Sequence, residues 1–207
     1  MLQAAYRHGD AAADRLGGQP GRGGRAERRA VLVLQRLLGR SAIVAVGVGS
    51  HSPTRRKDTV GNVRATGQFV VSLVSETLAR RMNVTAIEFD AGIDELKEAR
   101  VEVAASARVA PPRIADSPVS LECEVFQIVD LNPQNTLLIG KVLAMHVHDE
   151  FVLDPVRHHI DTPRLGLIGR MHGRGWYART TDLFQLERIP VADWPGAEAY
   201  WAENETR

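Results

Sequence analysis

A single cysteine, Cys123, is present among the 207 residues, so an internal disulfide and a CxxC metal site are both excluded. One cysteine is typical of a protein of the reducing cytoplasm, where we expect this chain to reside. No apolar run approaches the roughly 20 residues that span a bilayer, and the N-terminus has no signal-peptide pattern. The net charge is +1, which argues against nucleic acid or an anionic membrane as a partner.

The composition is that of an ordinary globular domain. Hydrophobic residues make up 44% and charged residues 25% of the chain, close to the average for soluble domains. A chain of this length can form one domain with a substantial core. Because the overall charge is nearly balanced, any anion-binding site must be local.

Strand patterns dominate the second half of the chain. Residues 120–131 alternate, with Cys123 opposite Glu122 and Glu124. Cys123 is therefore predicted to be a small core residue and not a nucleophile. Residues 132–135 are turn formers, which predicts a hairpin to the long strand that follows.

Short helices and further strands complete the predicted pattern. A helix is expected to begin near Asp58 and to stop at Gly67. Further short helices are predicted over 75–86 and 91–100. Other strands are predicted over 43–50, 68–75, 101–110 and, with a glycine-rich bend, 164–192. Together these elements predict a mainly-β fold with short helices, of the barrel type with helical insertions.

The stretch SHSPTRRKDT at residues 50–59 concentrates hydroxyl and basic side chains. Phosphate is bound by hydroxyls, cationic side chains and the free N–H groups of a helix N-terminus when these converge on one point. The donors here are Ser50, Ser52, Thr54, Arg56 and Lys57, which lie just before the predicted helix start at Thr59. The spacing is not that of a Walker loop. The residues alone leave two interpretations open, a phosphate cradle and a plain basic turn.

Two further segments carry side chains of the types found in metal-binding and ligand-binding sites. In MHVHDE, His146 and His148 share a face of the predicted strand, which permits a metal site or a solvent-facing strand end. This spacing is common by chance, and we expect no metal. The segment GRMHGRGWYARTT, which contains Arg170 and Tyr177, has two interpretations. It either covers a planar ligand or RNA bases, or it is a closing barrel strand with ordinary surface arginines. No Ser/His/Asp order or paired carboxylates stand out, so no catalytic side chain is predicted.

Residues 43–192 resemble the flavin reductase-like, FMN-binding split-barrel family, in its flavoprotein oxygenase branch. The similarity is carried by SHSPTRRKDTVGNVRATGQFVVSLVSETLARRMN, PPRIADSPVSLECEVFQIVDL, NTLLIGKVLAMHVHDE and LIGRMHGRGWYART. The resemblance implies a six-stranded antiparallel split β-barrel, a homodimer and FMN near the dimer interface. It implies that the FMN phosphate is held by Ser50, Arg56, Lys57 and Thr59, and that the flavin has two further neighbours, Arg170 and Tyr177.

In functional terms, the resemblance implies a flavoprotein oxidoreductase, an FMN-dependent NAD(P)H:flavin reductase of the flavoprotein oxygenase type with a small-molecule substrate. FMN would carry hydride and electrons while the protein orients it. No GxGxxG fingerprint is present, so the nicotinamide would dock on the flavin face and not in a Rossmann fold. The alternative is a non-catalytic FMN-binding electron carrier, and steady consumption of NADH or NADPH distinguishes the two.

Residues 1–42 depart from the family pattern. Family members begin with a strand carrying a PRPIAWV-like stretch and then NxAPFSFFN, and neither is present. One codon choice for residues 27–39, read one base out of phase, gives NVAPFSFFNAFS, and residues 11–18 give PRPTAWV in the same frame. We therefore predict that residues 1–42 are a frameshifted translation, which corrupts the first barrel strand and removes part of the flavin site. A true divergent N-terminus is the alternative, and a frameshifted product that cannot hold flavin would be inactive.

Three parts are thus expected along the chain. Residues 1–42 form the aberrant N-terminal segment, and residues 43–192 form the flavin reductase-like FMN-binding domain. Residues 193–207 form a C-terminal tail, either a short amphipathic helix or a frayed end.

Overall fold

The structure is a computed structural model that describes residues 2–4, 31–32, 42–49, 58–87, 89, 93–172 and 175–204. Within these residues the strands are β1 (Leu2–Ala4), β2 (Val31–Leu32), β3 (Ile43–Gly49), β4 (Gln68–Leu73), β5 (Val103–Ala104), β6 (Arg113–Ile114), β7 (Val119–Asp130), β8 (Asn135–Val147), β9 (Val152–Asp154), β10 (His159–Ile160), β11 (Ile168–His172) and β12 (Trp176–Arg179). The α-helices are α1 (Asp58–Thr66), α2 (Ala79–Val84), α3 (Glu95–Glu98) and α4 (Ala197–Asn204). Short 3₁₀ turns cover Glu76–Leu78, Asp149–Phe151, Pro163–Leu165 and Val191–Asp193.

The main sheet is antiparallel and is built on the long hairpin of β7 and β8. In the described residues its strand order is β1-β4-β7-β8-β2, and β3 also pairs with β8. The register between β7 and β8 shifts at two points, between Glu122 and Cys123 and between Val125 and Gln127. Such irregularities bend strands and increase their twist, and the sheet here is curled like half a barrel. The predicted mainly-β fold with short helices is confirmed, and the curled sheet is consistent with a split barrel, whereas the count of six barrel strands stays a prediction.

Local signals explain where these elements begin and end. The side-chain oxygen of Asn132 accepts the N–H groups of Gln134 and Asn135, each at 2.9 Å, and so closes the predicted turn between β7 and β8. Helix α1 ends before Gly67, whose φ is +67° and whose N–H donates to the Val63 carbonyl at 2.8 Å. Glycine suits this left-handed position because it has no Cβ.

The main core lies on one face of the curled sheet. It contains Phe69, Cys123 and Leu138, which are fully buried, and α1 contributes Val63. Gly140 is required there because a Cβ at this position would collide with the Phe69 ring. Burial, with a smaller effect from the Glu122 carboxylate, raises the pKa of the Cys123 thiol to about 12. The predicted role of this cysteine as a small core residue is confirmed.

The opposite face of β4, β7 and β8 is covered by a segment that we call the strap, residues 105–117. Its backbone is held by polar side chains of the sheet. Gln68 accepts the Ala110 N–H at 2.9 Å, and Ser72 accepts the Ile114 N–H at 3.3 Å. The strand predicted over 101–110 is therefore wrong for most of its length. Within that range β5 pairs with β6, whereas the backbone of the strap bonds to side chains of the sheet.

The helix predicted over 91–100 is shorter than expected. Of residues 93–100, which the structure describes, Glu95–Glu98 is helical, and the side chain of Asp94 caps this helix by accepting the N–H groups of Leu96 and Lys97. No helix in the described part of the chain is long and apolar enough to cross a membrane.

Little of the N-terminal segment lies within the described residues. Its backbone pairs at two places, where β1 runs beside β4 and β2 runs beside the end of β8. The frameshift and the predicted boundaries at residues 42 and 192 stay predictions.

Candidate functional site

The predicted phosphate loop connects a strand to a helix. Strand β3 ends at Gly49 and α1 begins at Asp58, so the loop runs into a helix N-terminus as expected. Thr59 lies in the first turn of α1 and is half-buried. Five of the predicted donors lie outside the described residues: Ser50, Ser52, Thr54, Arg56 and Lys57.

Helix α1 is fixed to the body of the domain by packing and by an ion pair. Val60 and Val63 are buried, and Val63 packs in the main core. Arg64 donates to both carboxylate oxygens of Asp130 at 2.7 Å, which ties the last turn of the helix to the end of β7. The axis of α1 therefore has a fixed direction, as an anion site at a helix N-terminus needs.

The predicted flavin neighbours Arg170 and Tyr177 meet across a hairpin. They are opposite residues of β11 and β12, and the guanidinium carbon lies 5.8 Å from the ring centroid of Tyr177. The Tyr177 hydroxyl donates to the Met82 sulfur at 3.9 Å, so the half-buried ring rests on α2. Arg170 is exposed above it. The structure thus brings these two side chains together, whereas Thr59 belongs to a separate element.

Two further interactions fix the hairpin to the body of the domain. Arg179 donates to both carboxylate oxygens of Glu76, at 2.8 and 2.6 Å. This hydrogen bonding lowers the pKa of the Glu76 carboxyl and raises that of the Arg179 guanidinium. Ile168, at the start of β11, donates its N–H to the Val74 carbonyl at 3.0 Å. Sequence reasoning missed this clamp because Glu76 and Arg179 lie far apart in the chain.

A cleft of about 500 Å³ opens beside the clamp, a size typical of small-molecule sites. Its walls come from four separate segments, represented by Glu76, Asp116, His148 and Arg164. Phe151 forms part of the wall, with the His148 ring stacked at 6.3 Å and the Arg164 guanidinium 5.9 Å from its centroid. No local motif predicts such a cleft, because folding alone assembles it.

The two histidines of MHVHDE have separate protein partners. His146 is buried and shares a hydrogen bond with the carboxylate of Glu122. His148 lies 3.1 Å, through Nε2, from the carbonyl oxygen of Ala115 in the strap. Across the described ranges, no group of three or more His, Cys, Asp or Glu side chains is arranged to hold a metal ion.

Comparison with known proteins identifies the family. The model of the flavin reductase like domain matches residues 41–162, which is more than half of the chain. The chain belongs to the flavin reductase-like family. This flavin reductase-like chain is also 39% identical over 152 residues to an uncharacterized protein of Deinococcus radiodurans, a match that covers 73% of this chain and 66% of the relative. The chain thus spans slightly less than two thirds of that curated relative.

Two solved structures are similar to this flavin reductase-like chain. The 2-nitrobenzoate 2-nitroreductase of Pseudomonas fluorescens superposes with a TM-score of 0.65 at 29% identity, covering 75% of this chain and 72% of that one. Component B of nitrilotriacetate monooxygenase from Bacillus cereus superposes with a TM-score of 0.63 at 26% identity, covering 70% and 71%.

Proposed function

We propose that this domain binds FMN and transfers reducing equivalents from NAD(P)H to a small-molecule acceptor or to free flavin. The single observation that carries the proposal is the strand–loop–helix from β3 to α1. By sequence, a stretch rich in hydroxyl and basic residues lies between the end of β3 and the start of α1, in a chain of the flavin reductase-like family.

The donor chemistry of this loop fits a phosphate monoester. By sequence it supplies two serine hydroxyls, a guanidinium and an ammonium group, from Ser50, Ser52, Arg56 and Lys57. Thr59 adds a hydroxyl in the first turn of α1. These groups would neutralise the phosphate charge and fix the position of the cofactor. Bound FMN would supply a ring that accepts a hydride and passes electrons on.

The hairpin supplies side chains suited to a flat ring system. Arg170 presents a planar cation, and Tyr177 supports it from below. The clamp between Glu76 and Arg179 holds the hairpin against the body, so these side chains would orient the flavin without large rearrangement. The nicotinamide would stack on the exposed flavin face.

We infer a homodimer with FMN near its interface and a cytoplasmic location, in keeping with the family resemblance. The alternative of an electron carrier makes one different prediction. A reductase consumes NADH or NADPH steadily in the presence of oxygen or an electron acceptor, whereas a carrier consumes none.

The N-terminal segment decides whether this exact polypeptide retains flavin. Sequencing the DNA that encodes residues 1–45 tests the frameshift. Bases that restore PRPTAWV and NVAPFSFFN would support it, and the repaired protein should purify yellow. If the DNA instead encodes the present residues in frame, a sequencing error is excluded. FMN titration of this chain then distinguishes a damaged gene, whose product binds no FMN, from a true divergent N-terminus, whose product binds it.

The phosphate cradle is tested with Lys57→Ala in a flavin-binding form of the protein. FMN titration by fluorescence should show affinity weakened by about tenfold or more, since a charge-assisted contact contributes roughly 1.5–3 kcal/mol. Lys97→Ala is the matched control, because Lys97 is exposed and its ion-pair partner is Asp94, 3.8 Å away. Equal FMN affinity of the Lys57 variant and the wild type would refute the cradle.

A further inference from the structure

The C-terminal arm, residues 181–204, exposes a large amount of apolar surface. Seven large hydrophobic side chains along it are exposed: Leu183, Phe184, Leu186, Ile189, Val191, Trp194 and Trp201. Phe184 is 88% exposed, Leu186 82% and Val191 95%. Monomeric proteins rarely leave a contiguous apolar surface of this extent in water, and larger patches mark interfaces.

Among the described residues, the hydrogen bonds and ring contacts of the arm are internal to it. In the part of the chain that the structure describes, the hydrogen bonds of residues 181–204 join residues within the arm, as in Asn204 to the Tyr200 carbonyl. The ring contacts of Tyr200, with Trp194 and Trp201, are also internal. Among the residues that the structure describes, these apolar side chains of the arm therefore stay exposed.

The start of the arm joins it to a second exposed apolar surface. Thr180, the residue before the arm, donates through its hydroxyl to the Leu167 carbonyl at 2.8 Å. The hairpin of β11 and β12 ends immediately before it and displays Met171 and Trp176, which are 66% and 63% exposed. Arm and hairpin thus lie next to each other along the chain.

The charges of the two surfaces are complementary. The arm has five acidic residues and one arginine, whereas the hairpin, residues 168–179, has three arginines and no acidic residue. One of the three, Arg179, is already paired with Glu76 of the same copy. In a dimer both surfaces would be covered at once, because the acidic arm of each copy would contact the basic hairpin of the other. Such an arrangement is closed and symmetric.

We propose that the arm packs across the β11–β12 hairpin of a second copy of this chain, so that the two copies exchange arms. Covering seven side chains of this size would remove roughly 800 Å² from water in each copy, and two arms would reach about the 1,600 Å² of a standard interface. The second copy would then lie beside Arg170 and Tyr177. This inference deepens the homodimer of the proposed function, but it requires no flavin.

The test is sedimentation equilibrium of the full chain without added flavin, over a wide concentration range. The wild type should be a dimer, and the double variant Phe184→Asp, Leu186→Asp should dissociate with a dimer Kd raised at least 100-fold. Val156→Asp is the matched control, since Val156 is 87% exposed in a turn outside the arm, and it should remain dimeric. Circular dichroism should show the same fold for all three proteins.

Two outcomes would overturn the proposal. A double variant with the same dimer Kd as the wild type would show that the arm is not part of the interface. A wild type that stays monomeric at the highest concentration would show that the arm packs on its own body or on a different protein. Neither outcome depends on FMN affinity, so failure of the arm exchange and failure of the flavin proposal are separable.

Discussion

Glu122 on β7 and His146 on β8 form a buried hydrogen-bonded pair beneath the strap. The Glu122 carboxylate also accepts the backbone N–H groups of Ala107 at 2.8 Å and Arg108 at 2.6 Å. One fully buried carboxylate therefore joins two strands and the segment that covers them. Such a group is stabilising only while all its partners are present.

Glu122→Gln should destabilise the fold by about 2–4 kcal/mol, because the amide offers one acceptor oxygen where two N–H groups and an imidazole converge. Urea denaturation measures the free energy of unfolding. Glu124→Gln is the control, since Glu124 lies two residues away on β7 and is exposed. Equal free energies for the two variants would show that the strap is held by other contacts.

Protonation of Glu122 should also lower the free energy of unfolding in acid. Burial acts to raise its pKa, but hydrogen bonds from Ala107, Arg108 and His146 outweigh burial, so the folded pKa lies below the ordinary value of 4.5. A carboxyl whose pKa is lowered by folding contributes its full stability above the unfolded pKa. This contribution is lost as the pH falls from about 4.5 through the lowered folded value.

Urea denaturation between pH 7 and pH 3 follows this loss. The free energy of unfolding of the wild type should decline more steeply below pH 5 than that of Glu122→Gln, which has no carboxyl to protonate there. Parallel curves for the two proteins would contradict this assignment.

Gly140→Ala should destabilise the core by about 1–3 kcal/mol, because the added methyl group collides with the Phe69 ring and forces it to move. Gly47→Ala is a matched control on β3, where an added Cβ would meet no described atom within 4 Å. The control should change stability by about 0.5 kcal/mol or less. Thermal and chemical unfolding of both variants measure the difference, and similar losses would mean that the Phe69 contact is unimportant.

Arg170→Ala should weaken FMN binding by about three- to tenfold, the loss of one stacked cation, with little change in thermal midpoint because Arg170 is exposed. Flavin fluorescence titration measures the affinity. Arg157→Ala is the control, since its ion pair with Asp154 is on the surface. If the FMN affinity of the Arg170 variant is unchanged, the hairpin is not part of the flavin site. The proposal of the phosphate cradle is not affected by that result.

Local elements were predictable where short-range rules decide. The alternation around Cys123 predicts a strand with one core face, and Gly67 and Asn132 predict a helix end and a turn through conformational preferences of single residues. These rules operate within a few residues, so tertiary contacts did not override them. The family could also be identified from motifs, and its match to residues 41–162 confirmed it.

Burial and partners of polar groups could not be predicted in this way. Alternation placed Glu122 opposite the core, yet only the strap makes that face buried and gives the carboxylate its N–H partners. The clamp between Glu76 and Arg179 joins positions about one hundred residues apart, so no local pattern contains it.

The sequence by itself determined the mainly-β character, the family and the basic loop before α1, because alternation, turn residues and motifs are properties of short stretches. Only the tertiary structure decided that Arg170 lies over Tyr177, that the strap rests on Glu122, and that the C-terminal arm lies exposed. These relationships depend on which distant segments pack together, and the free energy of that packing belongs to the whole fold.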